Sequence, residues 1–123
     1  TFIISTVTQN IYGISLKQKI NNNMFKKNNI SSLIKKQFYF DISNLKKLKK
    51  TINQIKPDYI FHLAAQAIVK KSYLNPIGTF KDNTVGSLNI LESLRSLNKE
   101  TVSVFITSDK TYKNLETKYI FSC

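Results

Sequence analysis

Along the chain, short β-type apolar runs alternate with stretches of helical spacing. Residues 11 to 16, IYGISL, form an apolar run with β-branched and aromatic members, which predicts a strand. QFYF, Gln37 to Phe40, predicts a second. Between them Gln18 to Ser32, QKINNNMFKKNNISS, is polar and low in complexity and reads as a loop. Asp41 and Ser43 then offer caps for NLKKLKKTINQIK, where Leu45, Leu48, Ile52 and Ile55 fall on one helical face with lysines on the other. Pro57 stops that helix. DYIFHLA, Asp58 to Ala64, is a continuous apolar run that suits a strand buried on both faces. Asn75 and Pro76 open a long helix whose expected core face is Ile77, Phe80, Val85, Leu88, Leu91 and Leu94, ending near Leu97. TVSVFIT, Thr101 to Thr107, predicts another strand. The opening TFIISTVT fits either a strand or the end of a helix.

Strand, helix, strand, helix, strand with short connections predicts an α/β fold of parallel strands joined by helical crossovers, with no domain boundary inside the chain. In such sheets ligands collect beyond the carboxyl ends of the strands. Four groups of residues should therefore share one rim: Ser15 and Lys17; Asp41 and Ile42; Ala64, Ala65 and Gln66; Ser108, Asp109 and Lys110. The alanines would let a ligand approach the backbone, or would simply fit a tight turn. Asp41 would bind a ligand or cap the helix after it. His62, inside a buried strand, reads as a satisfied core histidine.

Composition changes this picture little. A chain of 123 residues with 41% hydrophobic content supports one modest core. The formal charge of +12 suggests nucleic acid, but Arg95 is the only arginine, and lysine, asparagine and isoleucine are all overused, as an AT-rich coding sequence would dictate. Base readers rely on bidentate arginine. The expectation is a solvated lysine surface and no nucleic-acid partner. No run approaches the roughly 20 apolar residues of a membrane span, TFIISTVTQN carries no basic leader, and the single cysteine, Cys123, forms no internal disulfide. A cytoplasmic protein without a metal site is expected. Both ends read as cut from a longer protein.

DIS after a strand, then PDYIFHLAAQAIVKKSYLNPIGTFKDNTVGSLNILESLR, then VFITSDKTYKN, resembles the extended short-chain dehydrogenase/reductase superfamily. Within it the similarity is to nucleotide-sugar 4,6-dehydratases, above all the CDP-glucose branch, because Lys110 stands where dTDP-glucose relatives usually carry glutamate. The resemblance implies a Rossmann-like doubly wound parallel sheet and makes residues 1–123 a partial NAD-binding domain. It implies NAD as cofactor, held by Asp41 and Ile42 at the adenine and by Leu63, Ala64, Ala65 and Gln66 beside the pyrophosphate and nicotinamide ribose. It places Ser108 on the sugar O4, Asp109 as the acid for the departing C6 hydroxyl, and Lys110 in the position of the base that takes the C5 proton. A nucleotide sugar would be the substrate and a homodimer the assembly, with Pro76 to Leu97 at its interface.

The same resemblance marks what is missing. The glycine-rich turn and the first strand should precede residue 1, the Tyr-x-x-x-Lys pair and the substrate domain should follow the last residue, and Ser15 or Lys17 stands where an acidic residue would clasp the adenosine ribose. The chain alone is expected to be inactive. Two rivals stand beside the dehydratase: an epimerase or reductase of the same superfamily, and a lysine-rich nucleic-acid module with Phe38, Tyr39 and Phe40 as stacking aromatics.

Overall fold

The structure is a computed structural model that describes residues 10–17 and 29–107. The opening TFIISTVT, most of the polar loop, and Ser108, Asp109 and Lys110 lie outside the described residues. Strand β1 (Tyr12–Ser15) pairs in parallel with β2 (Lys36–Tyr39), Ile14 standing opposite Phe38. After helix α1 (Leu45–Ile55), β3 (Tyr59–His62) pairs in parallel with β4 (Val102–Phe105), His62 opposite Phe105. Between β3 and β4 the chain forms α2 (Val69–Leu74), α3 (Pro76–Phe80), a π turn (Lys81–Val85) and α4 (Gly86–Arg95). The predicted α/β order is present, as two parallel strand pairs.

Helices α1 and α4 cover one face of both pairs. Leu48, Ile52 and Ile90 form the buried centre, and Ile14, Phe40, Ile42, Ile60, Leu94, Leu97 and Phe105 pack around it. Each strand thus contributes residues of one alternate set, as a pleated strand with one covered face must. Lys49 of α1 reaches Glu92 of α4 at 2.8 Å and ties the two helices at the surface. Helix α1 ends on Lys56 at φ 48°, where the chain turns out of the helix ahead of Pro57.

Three expectations need correction. Tyr59 and Phe61 are 63% and 46% exposed, so β3 is covered on one face only among the described residues. The cap of α1 is Asn44, whose side chain accepts from the Lys47 amide, and neither Asp41 nor Ser43. The long helix is interrupted by the π turn, and most of its expected core face points outward: Ile77, Phe80, Leu88 and Leu91 are exposed, Val85 is half-buried, and Leu94 packs on the core as expected. The buried stripe of α4 is Gly86, Asn89, Ile90 and Ser93. In it Gly86 lets the helix come close to Ile42, Asn89 bonds the Ile42 and Ser43 carbonyls, and Ile90 enters the core. Helix α2 was not anticipated, as its residues carry no helical apolar period.

Candidate functional site

The π turn and α4 reach both described loops at the carboxyl ends of the strands. After β3, Leu63, Ala64 and Ala65 are exposed and Gln66 is half-buried. The Gln66 amide donates to Asn83 Oδ1 at 2.7 Å, and Asn83 Nδ2 donates back to the Gln66 carbonyl at 3.1 Å. Asn83 sits in the middle of the π turn, and one side chain thus clamps both backbone groups of one loop residue. The Gln66 side chain is committed locally: its Nε2 donates to the Ile68 carbonyl and its Oε1 accepts from the Ile68 amide. The surface this loop offers a ligand is therefore the stretch Leu63–Ala65.

After β2, Asp41 is exposed and its Oδ1 accepts from the Ser43 amide at 2.8 Å, closing a tight turn. Ile42 turns inward onto the core. Its carbonyl and that of Ser43 each accept from Asn89 Nδ2 at 3.0 Å. A Cβ on Gly86 would lie 2.6 Å from Ile42 Cδ1, so glycine here is what lets the helix approach this loop. At the β1 end Ser15 and Lys17 are exposed.

His62 is buried, meets Phe105 edge to face at 5.1 Å, and bonds Ser87 Oγ at 2.8 Å through Nε2. Ser87 spends its proton on the Asn83 carbonyl, 2.7 Å away. Its oxygen must accept from His62, which assigns the neutral imidazole its proton on Nε2. Burial pushes the His62 imidazole below its ordinary value. The core reading of this histidine fits all of that geometry.

The loops at 41–43 and 63–66 form a shallow rim, with an exposed carboxylate at one end and approachable backbone at Ala64 and Ala65. Among the described residues no group of His, Cys, Asp or Glu could hold a metal ion. A cleft of about 270 Å³ bounded by Tyr12, Lys35, Lys36, Phe38, Gln54 and Ile55 lies at the opposite end, by the amino ends of β1 and β2. It is not part of this rim. Asn83, Ser87 and Asn89 carry no binding role in the sequence reading, although Asn83 and Gly86 form the N-x-x-G of the stretch that carries the family resemblance; polar side chains at core-facing positions of an otherwise apolar helix are the further signal.

The sequence pattern of the GDP-mannose 4,6 dehydratase family matches residues 6–120. The chain belongs to this family. Among its curated relatives, the CDP-glucose 4,6-dehydratase of Salmonella typhimurium is 41% identical over 76 residues, 62% of this chain and 21% of that protein. The UDP-glucose 4-epimerase of Mycoplasma genitalium is 36% identical over 105 residues, 82% of this chain and 30% of that protein. The chain thus spans a fifth to a third of the curated relatives it matches. Among solved structures, Pal from Bacillus thuringiensis superposes with a TM-score of 0.77 at 19% identity, covering 92% of this chain and 36% of that one. A UDP-glucose-4-epimerase from Stenotrophomonas maltophila, solved with bound NAD, gives 0.69 at 16% identity over 90% of this chain and 40% of that one. These neighbours carry the Rossmann fold of the dehydratase and epimerase family, of which this chain is a part.

Proposed function

We propose that the protein containing this chain is an NAD-dependent nucleotide-sugar 4,6-dehydratase acting on CDP-glucose. The observation that carries this reading is TSDK, Thr107 to Lys110, which follows β4 after the single residue Ile106. The Ile106 amide donates to the His62 carbonyl at 3.1 Å, so β4 runs out beside the loop at 63–66, and Ser108, Asp109 and Lys110 come next in the sequence. The identity to a CDP-glucose 4,6-dehydratase points the same way.

The chemistry of the rim supports NAD: exposed small residues at Ala64 and Ala65, and an exposed carboxylate at Asp41 for the adenine amino group. Asp41 and Ile42 would hold the adenine end, and Leu63, Ala64 and Ala65 the pyrophosphate and nicotinamide ribose, with Gln66, its backbone engaged by Asn83, anchoring the loop behind them. Bound there, NAD supplies a hydride acceptor that is regenerated within each turnover. Ser108 would hydrogen-bond the sugar O4. Asp109 would hold the proton given to the departing C6 hydroxyl, and Lys110, neutral, would take the C5 proton. The partners of the whole protein are then a nucleotide sugar and a second copy of itself.

A second reading keeps the fold and makes the protein a nucleotide-sugar 4-epimerase, favoured by the similarity to the UDP-glucose 4-epimerase over most of this chain. The full-length protein, incubated with NAD and CDP-glucose, should yield a 4-keto-6-deoxy product, and Asp109→Asn should cut that rate by about 10²–10⁴-fold. Interconversion of UDP-glucose and UDP-galactose without any keto product would install the epimerase instead.

A further inference from the structure

One segment, residues 83 to 89 of the π turn and α4, touches both rim loops and belongs to neither. Asn89 is only 7% exposed, and its Nδ2 is spent wholly on two backbone carbonyls, Ile42 and Ser43. Gly86, one turn earlier, brings the helix against Ile42. On the other side of the same helical run Asn83 clamps Gln66 through both backbone groups, and Ser87 ties His62, the last residue of β3, to the Asn83 carbonyl. Two loops about twenty residues apart in sequence are thus hung on one stretch of helix, 83 to 89. Ordinary helix packing needs none of this. A buried amide placed on a helix for packing alone would be better replaced by a leucine, because burying a polar group brings no gain unless its bonds are needed.

We infer that this helix is a splint for the cofactor loops: Asn89 positions residues 41–43, Asn83 positions residues 63–66, and each asparagine governs the hold on a different half of the dinucleotide. This rests on the NAD reading above. Neither asparagine needs to touch the ligand. Each anchors a loop whose neighbouring residues do, Asp41 on one side and Leu63 to Ala65 on the other, and the rigid helix between them sets the distance between the two halves of the site. The π turn belongs to the device. In it the Gly86 amide bonds the Lys81 carbonyl five residues back, and the extra residue in that turn sets the direction in which Asn83 leaves the helix.

The test uses the full-length protein and two probes, NAD and AMP, titrated calorimetrically into wild type, Asn89→Asp and Asn83→Leu. Asn89→Asp is isosteric but faces two carbonyls with a carboxylate; should circular dichroism show it unfolded, Asn89→Ser removes the amide without burying a charge. The Asn89 variant is expected to lose about tenfold in affinity for both probes, since AMP occupies the adenine end alone. Asn83→Leu should lose as much for NAD and keep wild-type affinity for AMP. A merely destabilised protein would show no such split. Equal losses of AMP in both variants, or unchanged NAD binding in folded variants, would overturn the splint. Wild type that binds neither probe would overturn the cofactor reading itself, and the inference with it.

Discussion

Gly86 shows how a single absent methyl decides where a helix can lie. A Cβ there would stand 2.6 Å from Ile42 Cδ1 and 3.0 Å from Cγ1. Alanine gains about 1 kcal/mol of helix propensity over glycine, whereas overpacking a tight contact costs about 1–3 kcal/mol. Only the end of the Ile42 side chain is met, but that side chain packs against the core, which limits how far it can turn away. Gly86→Ala should therefore lower stability by about 1 kcal/mol in urea denaturation of the full-length protein; a more stable variant would mean that Ile42 yields freely. His62 makes the second test at this scale. Its folded value lies below the ordinary 6.5, so its contribution is intact above that pH and is lost as pH falls through the folded value. The melting temperature should drop from pH 7 towards pH 5, and His62→Gln, which can still donate to Ser87, should flatten that drop. His62 is the only histidine of the 123 residues, and Glu92, held down to about 2 by its bonds to Arg95 and Lys49, stays ionised across the window. Equal slopes for variant and wild type would remove His62 from the acid sensitivity.

At the scale of elements, the strands and α1 were legible because their residues obey one periodicity and face one way. Leu48 and Ile52 were expected in the core and are 1% and 3% exposed. The helical region after β3 was misread for a physical reason: it is apolar on the side away from the sheet. Counting hydrophobic residues picks Ile77, Phe80, Val85, Leu88, Leu91 and Leu94, of which only Leu94 packs on the core, while the side that touches the loops is built from glycine, asparagine and serine. A π turn leaves no composition signal either, since Lys81 to Val85 is as polar as any exposed turn. Its role can be read by removing one residue. Deleting Thr84, which is exposed, should restore regular helix, and with α4 fixed by Ile90 in the core the preceding residues rotate by about 100°. Asn83 then turns away from Gln66. Helix content by circular dichroism should persist while NAD affinity falls as far as in Asn83→Leu; undiminished affinity would show that the π turn does not aim this side chain.

The whole molecule leaves one helical surface without a partner among the described residues. Tyr73, Leu74, Ile77, Phe80, Leu88 and Leu91 are 84%, 76%, 82%, 65%, 59% and 49% exposed, and they follow one another along α2, α3 and α4 on the side away from the strands. Lysine on this chain is abundant, yet between Tyr73 and Leu91 it interrupts the apolar series only at Lys81. Burying a large apolar side chain contributes about 1.5–3 kcal/mol, and association costs about 4–15 kcal/mol. A two-fold contact uses the same patch on both subunits and doubles the buried area without further sequence. On that arithmetic this surface is large enough to carry the homodimer proposed above for the full-length protein. Light scattering at micromolar concentration should give the mass of a dimer, and Ile77→Glu combined with Leu88→Glu should give a folded monomer, since two carboxylates per subunit would have to be desolvated against their own copies. The pair of substitutions lies on the side of the helix opposite Gly86 and Asn89, so NAD affinity should hold while the mass halves. A wild-type monomer at that concentration would leave this face to be covered by the protein's own remaining chain.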